Sequence, residues 1–219
     1  MSIESIRKRA RNNTLEVEHL LKEASHPNDA FATAIDELSA ELRWPFAGEL
    51  HNGNPQVPLA TWSKVVSTYC RGGFDGLVRL AAEPQSANFV IGLLEEIKTS
   101  ESLAALLLAF KENVSSPCRD VDTSCRIARA LDLMLSFKPI VAATPDQAIA
   151  LRSFLYALCA CAESEAQRAT ALLALRGVGD ESSAEFAASK SLRSPWHEVP
   201  QVVSKHIRKR MRAAAMPDC

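Results

Sequence analysis

The stretch "RATALLALRGVGDESSAEFAASK", Arg168 to Lys190, decides the fold. Alanine and leucine recur in it at the three- and four-residue spacing of a helix with one buried face. The pattern stops at Gly177-Val178-Gly179-Asp180, and a second helical pattern follows. An aspartate placed just before a resumed helix is a start signal, because its carboxylate accepts backbone N–H groups that have no partner within the helix. Asp180 is read as that cap. Glycine takes positive φ at little steric cost, so Gly177 or Gly179 is expected to supply a left-handed turn. On this reading the segment is the hinge of a helical hairpin and not a phosphate cradle.

Working outward, the same grammar recurs. Ile3, Ile6 and Ala10 make one stripe, Leu15, Leu20, Leu21 and Ala24 a second, and Phe31, Ala34, Ile35, Leu38 and Leu42 a third, the last two predicting an antiparallel hairpin across "SHPND". "LATWSKVVSTYC" is expected to close at Arg71-Gly72-Gly73, and the short "FDGLVRLAA" to stop before Pro84. "SANFVIGLLEEIKTSESLAALLLAFKE" divides at Lys98-Thr99-Ser100, where a hydroxyl residue caps the second helix. "DTSCRIARALDLMLSF" ends before Pro139. "TPDQ", Thr144 to Gln147, joins a threonine cap, proline at the first helical position and glutamine at the third. "VPQVVSKHIRKRMRAAA" supplies the final helix. The sum is an all-α chain of about ten or eleven helices with no alternating strand pattern. The one irregular segment, residues 44–58, packs three prolines and two glycines into fifteen residues and is expected to be a loop. Residues 1–219 are taken as a single domain.

Placed side by side, "VIGLLEEIKTSESLAALL" and "ATALLALRGVGDESSAEF" share a plan: apolar helix, short polar turn, cap, second helix. A helical hairpin buries its faces only by stacking on neighbours. "QRATALLALRGVGDESSAEFA", residues 167–187, resembles a HEAT-type repeat, with Arg168, Ala171, Leu172, Leu175, Gly179, Asp180 and Ala184 at the basic, small, apolar, glycine, aspartate and small positions of that pattern. The unit around Leu93 to Leu107 matches in periodicity and lacks the glycine-aspartate turn. The resemblance implies antiparallel hairpins stacked as a HEAT/ARM-like α-solenoid, whose surfaces bind partners.

Catalytic signatures are missing from the sequence. His19, His26, His51, His197 and His206 form no pair at i,i+3 or i,i+4 that would make a metal edge, and no phosphate loop, dinucleotide fingerprint or nucleophile elbow occurs. Neither a cofactor nor a metal is implied, and the protein is read as a non-enzyme. Six cysteines, Cys70, Cys118, Cys125, Cys159, Cys161 and Cys219, are read as reduced and mostly buried thiols of a cytoplasmic protein. No apolar run approaches a membrane span, and the amino terminus has no apolar segment of a signal peptide.

Charge supplies the functional expectation. The net charge of −1 hides +3 on residues 1–11 and +5 on residues 205–212, which leaves −8 on residues 12–204 once Asp218 is counted apart. An acidic body marks down nucleic acid and favours a basic protein partner. The partner-binding candidates are Asp36, Glu37, Glu41, Glu95, Glu96, Asp120 and Asp122, with Trp44 and His51 in the 44–58 loop. The reading is a protein–protein interaction module, of the kind a toxin-neutralising immunity protein represents when it covers a basic toxin. The alternatives are a scaffold or adaptor and a DNA-binding protein similar to the alkylpurine glycosylases, which are HEAT-like chains of comparable length with a basic groove. The acidic middle and the scattered Trp44, Trp62 and Trp196 depart from that last pattern.

Overall fold

The computed structural model describes residues 3–11, 28–41, 59–136 and 141–215. Every regular element among them is helical: α1 (Ile3–Arg11), α2 (Asp29–Glu41), α3 (Leu59–Leu80), α4 (Pro84–Ile97), α5 (Ser100–Ala109), α6 (Lys111–Ser115), a 3-10 turn (Pro117–Arg119), α7 (Val121–Leu135), α8 (Pro145–Cys161), α9 (Glu165–Val178), α10 (Glu181–Ala188) and α11 (Val199–Ala215). None is long and apolar enough to cross a membrane. The 44–58 loop, the stripe from Leu15 to Ala24 and the hairpin turn before Asn28 lie outside the described residues. The chain, taken from its sequence as one domain, divides into two compact units, residues 1–97 and 98–219.

In the first unit α3 packs on α2 and α4. Asn28 caps α2 by accepting from the Phe31 amide at 3.1 Å, and its own N–H donates to the Cys70 carbonyl at 3.0 Å. Ala32, Ile35, Val65, Val66, Leu77, Val90, Leu93 and Leu94 form the core, none more than 2% exposed. At Gly73 the backbone takes φ 56 and ψ −149, conformations open to glycine and strained for other residues, and α3 breaks there as its two glycines foretell.

The second unit is built around α9, which packs against α7, α8 and α11, while α10 packs on α11. Leu131, Leu151, Phe154, Leu155, Leu158, Leu172, Leu175 and Ile207 are at most 1% exposed, each worth about 1.5–3 kcal/mol of transfer free energy for its apolar side chain. Between them, Ala128, Ala130, Ala169, Ala171, Ala174, Ala184 and Ala187 are fully buried, and so small a side chain lets helix backbones approach closely. Capping boxes start α5 at Thr99 with Ser102, α8 at Thr144 with Gln147 and α9 at Ser164 with Gln167; the first two are starts that the sequence predicts. Lys98, just ahead of the Thr99 cap, has φ 51.

One expectation about the thiols fails. Cys118 is exposed on the 3-10 turn and forms a disulfide with Cys161 at the end of α8, their Cα atoms 5.7 Å apart. The two residues are separated by 43 positions, so the pair exists only because the turn packs against α8. Cys70 and Cys159 are buried free thiols, as expected, and Cys125 is a half-buried one.

Candidate functional site

The Gly177–Asp180 turn and the helix end before it are held by hydrogen bonds from three other helices of the second unit, α8, α10 and α11. Asp180 caps α10, accepting from the Ser183 amide at 2.9 Å and the Ser183 hydroxyl at 3.0 Å. Burial alone would raise its carboxyl, but the Ser183 hydrogen bonds, with Arg152 beyond them at 3.2 Å, overcome that and hold it below the usual carboxylate value.

The glycines do something other than the sequence suggests. Gly177 is helical, and Gly179 has φ −66 and ψ 152, an extended conformation that any residue adopts. Their role is close approach. A Cβ on Gly177 would overlap Leu135 Cβ and lie 3.1 Å from the Leu135 carbonyl carbon, where α9 crosses the end of α7. One on Gly179 would lie 2.7 Å from Ile207 Cδ1 and 2.7 Å from the Leu175 carbonyl oxygen. Positive φ leaves no need for a crowded neighbour, and a crowded neighbour leaves no mark in local sequence.

Two arginines complete the end of α9. The last carbonyls of a helix have no partners inside it and carry the negative end of its dipole. Arg152 of α8 donates to the Val178 carbonyl at 3.0 Å, and Arg210 of α11 donates to the Arg176 carbonyl at 2.7 Å and to that of Gly179. Burial, with Arg152 nearby, lowers the Arg210 pKa. Arg176 itself turns to α7 and pairs with Asp132 through Nη2–Oδ2 at 2.5 Å and Nε–Oδ1 at 3.2 Å, both side chains 12% exposed. His206, beside this group on α11, is shifted down by burial and by the Arg176 and Arg210 charges. The sequence shows Arg210 only as one of the charges that make up the +5 on residues 205–212; a run of basic residues conceals which one faces inward.

The carboxylates singled out from the sequence fall in different surroundings. Asp36 is exposed and paired with Arg71 at 2.7 Å, Glu37 and Glu96 are exposed, and Glu95 is half buried. These four belong to the first unit. In the second, Asp120 is the cap of α7, accepting from the Thr123 amide at 3.0 Å, and that bond lowers its pKa. Asp122 is exposed and accepts from Gln167 Nε2 at 3.2 Å. The side chain of Glu41 and the residues Trp44 and His51 lie outside the described residues.

Among the described residues no three of His, Cys, Asp and Glu converge as a metal site would require. Burial pushes the Cys70 and Cys125 thiols up to about 11 and raises Cys159, so all three stay protonated at neutral pH and are poor nucleophiles. A basic stripe does form on α11, where Lys205, Arg208, Lys209 and Arg212 border a cleft of about 400 Å³ with Gln201 and Ser204. Arg208 shares its charge with Glu181 at 2.7 Å. No family model matches the chain, and neither a curated protein nor a solved structure does.

Proposed function

We propose that this chain is a non-enzymatic protein-binding module, a HEAT-like stack of helical hairpins that holds a basic partner on exposed carboxylates as a toxin-neutralising immunity protein does. The packing order of residues 121–215 carries the reading. Helix α9 touches both α7 and α11, and α8 reaches α10 through the Tyr156 and Phe186 rings, 4.5 Å apart, and a Tyr156–Ser183 hydrogen bond of 2.6 Å. Contacts between next-but-one helices are what repeating hairpins produce, and arrays of that kind work through extended binding surfaces. The −8 carried by residues 12–204 supports a partner of opposite charge.

The test is affinity capture from the native cell, followed by kinetics on the partner recovered. A basic protein should associate faster at low salt, and Glu37→Lys with Glu96→Lys should slow association about tenfold while leaving dissociation nearly unchanged. Recovery of no basic partner, or an association rate indifferent to both charge reversals, removes the reading.

The α11 stripe favours a second reading, binding to nucleic-acid phosphates, in which Lys205, Lys209 and Arg212 form the contact. Duplex DNA would then be retained at low salt and released steeply as salt rises. Absence of retention at low salt eliminates it.

A further inference from the structure

The break at Gly73 makes a second feature, independent of the partner-binding reading. In a straight helix, residues eight apart stand about 12 Å from each other along the axis. Here a Cβ on Gly76 would come 3.0 Å from the Thr68 carbonyl oxygen, so the two halves of α3 fold against each other. Lys64 and Glu83, 19 positions apart, meet at 2.5 Å for the same reason. Between the halves lies an open cleft of about 540 Å³, within the size range of small-molecule sites.

Three cations line it. Lys64 and Arg71 come from the first half and Arg79 from the second, against the single carboxylate of Glu83, with the Thr68 hydroxyl and aliphatic Leu80 completing the wall. The Lys64 hydrogen bond holds Glu83 ionised, its pKa below the usual range. Arg71 is steadied from outside by Asp36 at 2.7 Å. Arg79 makes no ion pair among the described residues, and the nearest heavy atom to a Cβ on Gly72 would be its Nη2, at 3.6 Å, so the guanidinium lies along the backbone at that glycine. Two residues are thus held in position by carboxylates, Lys64 by Glu83 and Arg71 by Asp36, while Arg79 offers a planar fork of donors and the one uncompensated positive charge of the group. Two guanidinium groups and a hydroxyl in one cleft match a phosphate group, whose oxygens take paired N–H donors from guanidinium groups.

We propose that the α3 cleft binds a small phosphomonoester, with Arg79 as the principal phosphate ligand, Arg71 and Thr68 as supporting donors, and Glu83 as acceptor for a hydroxyl on the ligand body. The probe is glycerol 3-phosphate, titrated into the full-length chain by calorimetry at constant ionic strength, with inorganic phosphate, glycerol and succinate as comparisons. Saturable binding at one site is expected, competed by inorganic phosphate, absent with glycerol and weaker with succinate. Arg79→Gln, at an exposed position and checked for an intact fold by circular dichroism, should weaken it about tenfold or more, the value of a charge-assisted hydrogen bond. Glu83→Gln should tighten inorganic phosphate binding by releasing Lys64, whereas Arg126→Gln, at an exposed position of α7, should change nothing. The proposal fails if glycerol 3-phosphate does not saturate, if Arg79→Gln binds like the parent, if Arg126→Gln loses as much as Arg79→Gln, or if succinate binds as well as the phosphomonoester.

Discussion

Replacing Gly177 by alanine separates two accounts of the same residue. Gly177 lies inside α9, and helix propensity alone makes the substitution favourable by about 1 kcal/mol. The structure opposes it. The new methyl would overlap Leu135 Cβ and stand 3.1 Å and 3.2 Å from the Leu135 carbonyl carbon and oxygen, backbone atoms that cannot rotate away. Relief requires α7 and α9 to separate, and a gap of about 0.5–1 Å forfeits a quarter to a half of each dispersion contact along that interface. The cost belongs at the upper end of the overpacking range, about 3 kcal/mol, leaving a net loss of about 2 kcal/mol. Over residues 98–219 such a loss lowers Tm by roughly 6–12 °C. Gly72→Ala is the internal control: its Cβ meets only Arg79 Nη2 at 3.6 Å, ordinary contact, and the variant should be neutral or up to about 1 kcal/mol more stable. Thermal unfolding followed by circular dichroism reads both. A Gly177→Ala protein as stable as the Gly72→Ala protein would refute the close-approach argument.

Loss of the Cys118–Cys161 bond, by Cys118→Ser or by reductant, should destabilise the second unit by up to about 4 kcal/mol from the entropy of a 43-residue loop; urea midpoints for the variant and for the parent with and without reductant measure it, and addition of reductant should not shift the variant further. Asp132→Ala leaves the Arg176 guanidinium, 12% exposed, without its carboxylate and should cost about 3 kcal/mol, while Asp132→Leu combined with Arg176→Met recovers most of that loss in a double-mutant cycle. Stability should also fall in acid in two stages. His206 has its pKa depressed by folding, so the unfolded chain takes up the proton first and stability declines as pH drops below about 6.5; Asp180, Asp120 and Glu83, also depressed, add a second decline below about pH 4. His206→Gln should remove the upper stage and Asp180→Asn should flatten the lower one, both read from urea midpoints across pH.

Local signals carried far. Thr99, Thr144 and Asp180 stand where their residue types and spacing put them, because a cap is a contact between residues three apart, and such contacts are written in adjacent letters. The break at Gly73 was readable for the same reason. What escaped were contacts between distant positions. Cys118 finds Cys161 across 43 residues, and Arg152 and Arg210 reach the end of α9 from 26 and from 31 to 34 residues away. Gly177 is small because of Leu135, and nothing beside Gly177 in the chain says so. The α3 cleft was hidden differently. Lys64, Arg71 and Arg79 look like ordinary surface charges until the break at Gly73 folds one half of the helix onto the other. The carboxylates named from the sequence rest on the acidic charge of residues 12–204, and charge does not distinguish a cap such as Asp120 from Glu37.

The arginines at the end of α9 bear on how the second unit comes apart. In an array of self-contained repeats, the terminal repeat frays while its neighbours persist, and stability is a sum over units and their interfaces. The turn between α9 and α10 is not self-contained, because it borrows a guanidinium from α8 and another from α11. Detaching α11 therefore uncovers the carbonyls of Arg176 and Gly179 at the same moment that it exposes Ile207. Opening at one end is penalised in the middle, so amide hydrogens in α9, α10 and α11 should exchange as one cooperative block, with a single free energy of opening, and not as a gradient rising inward from residue 215.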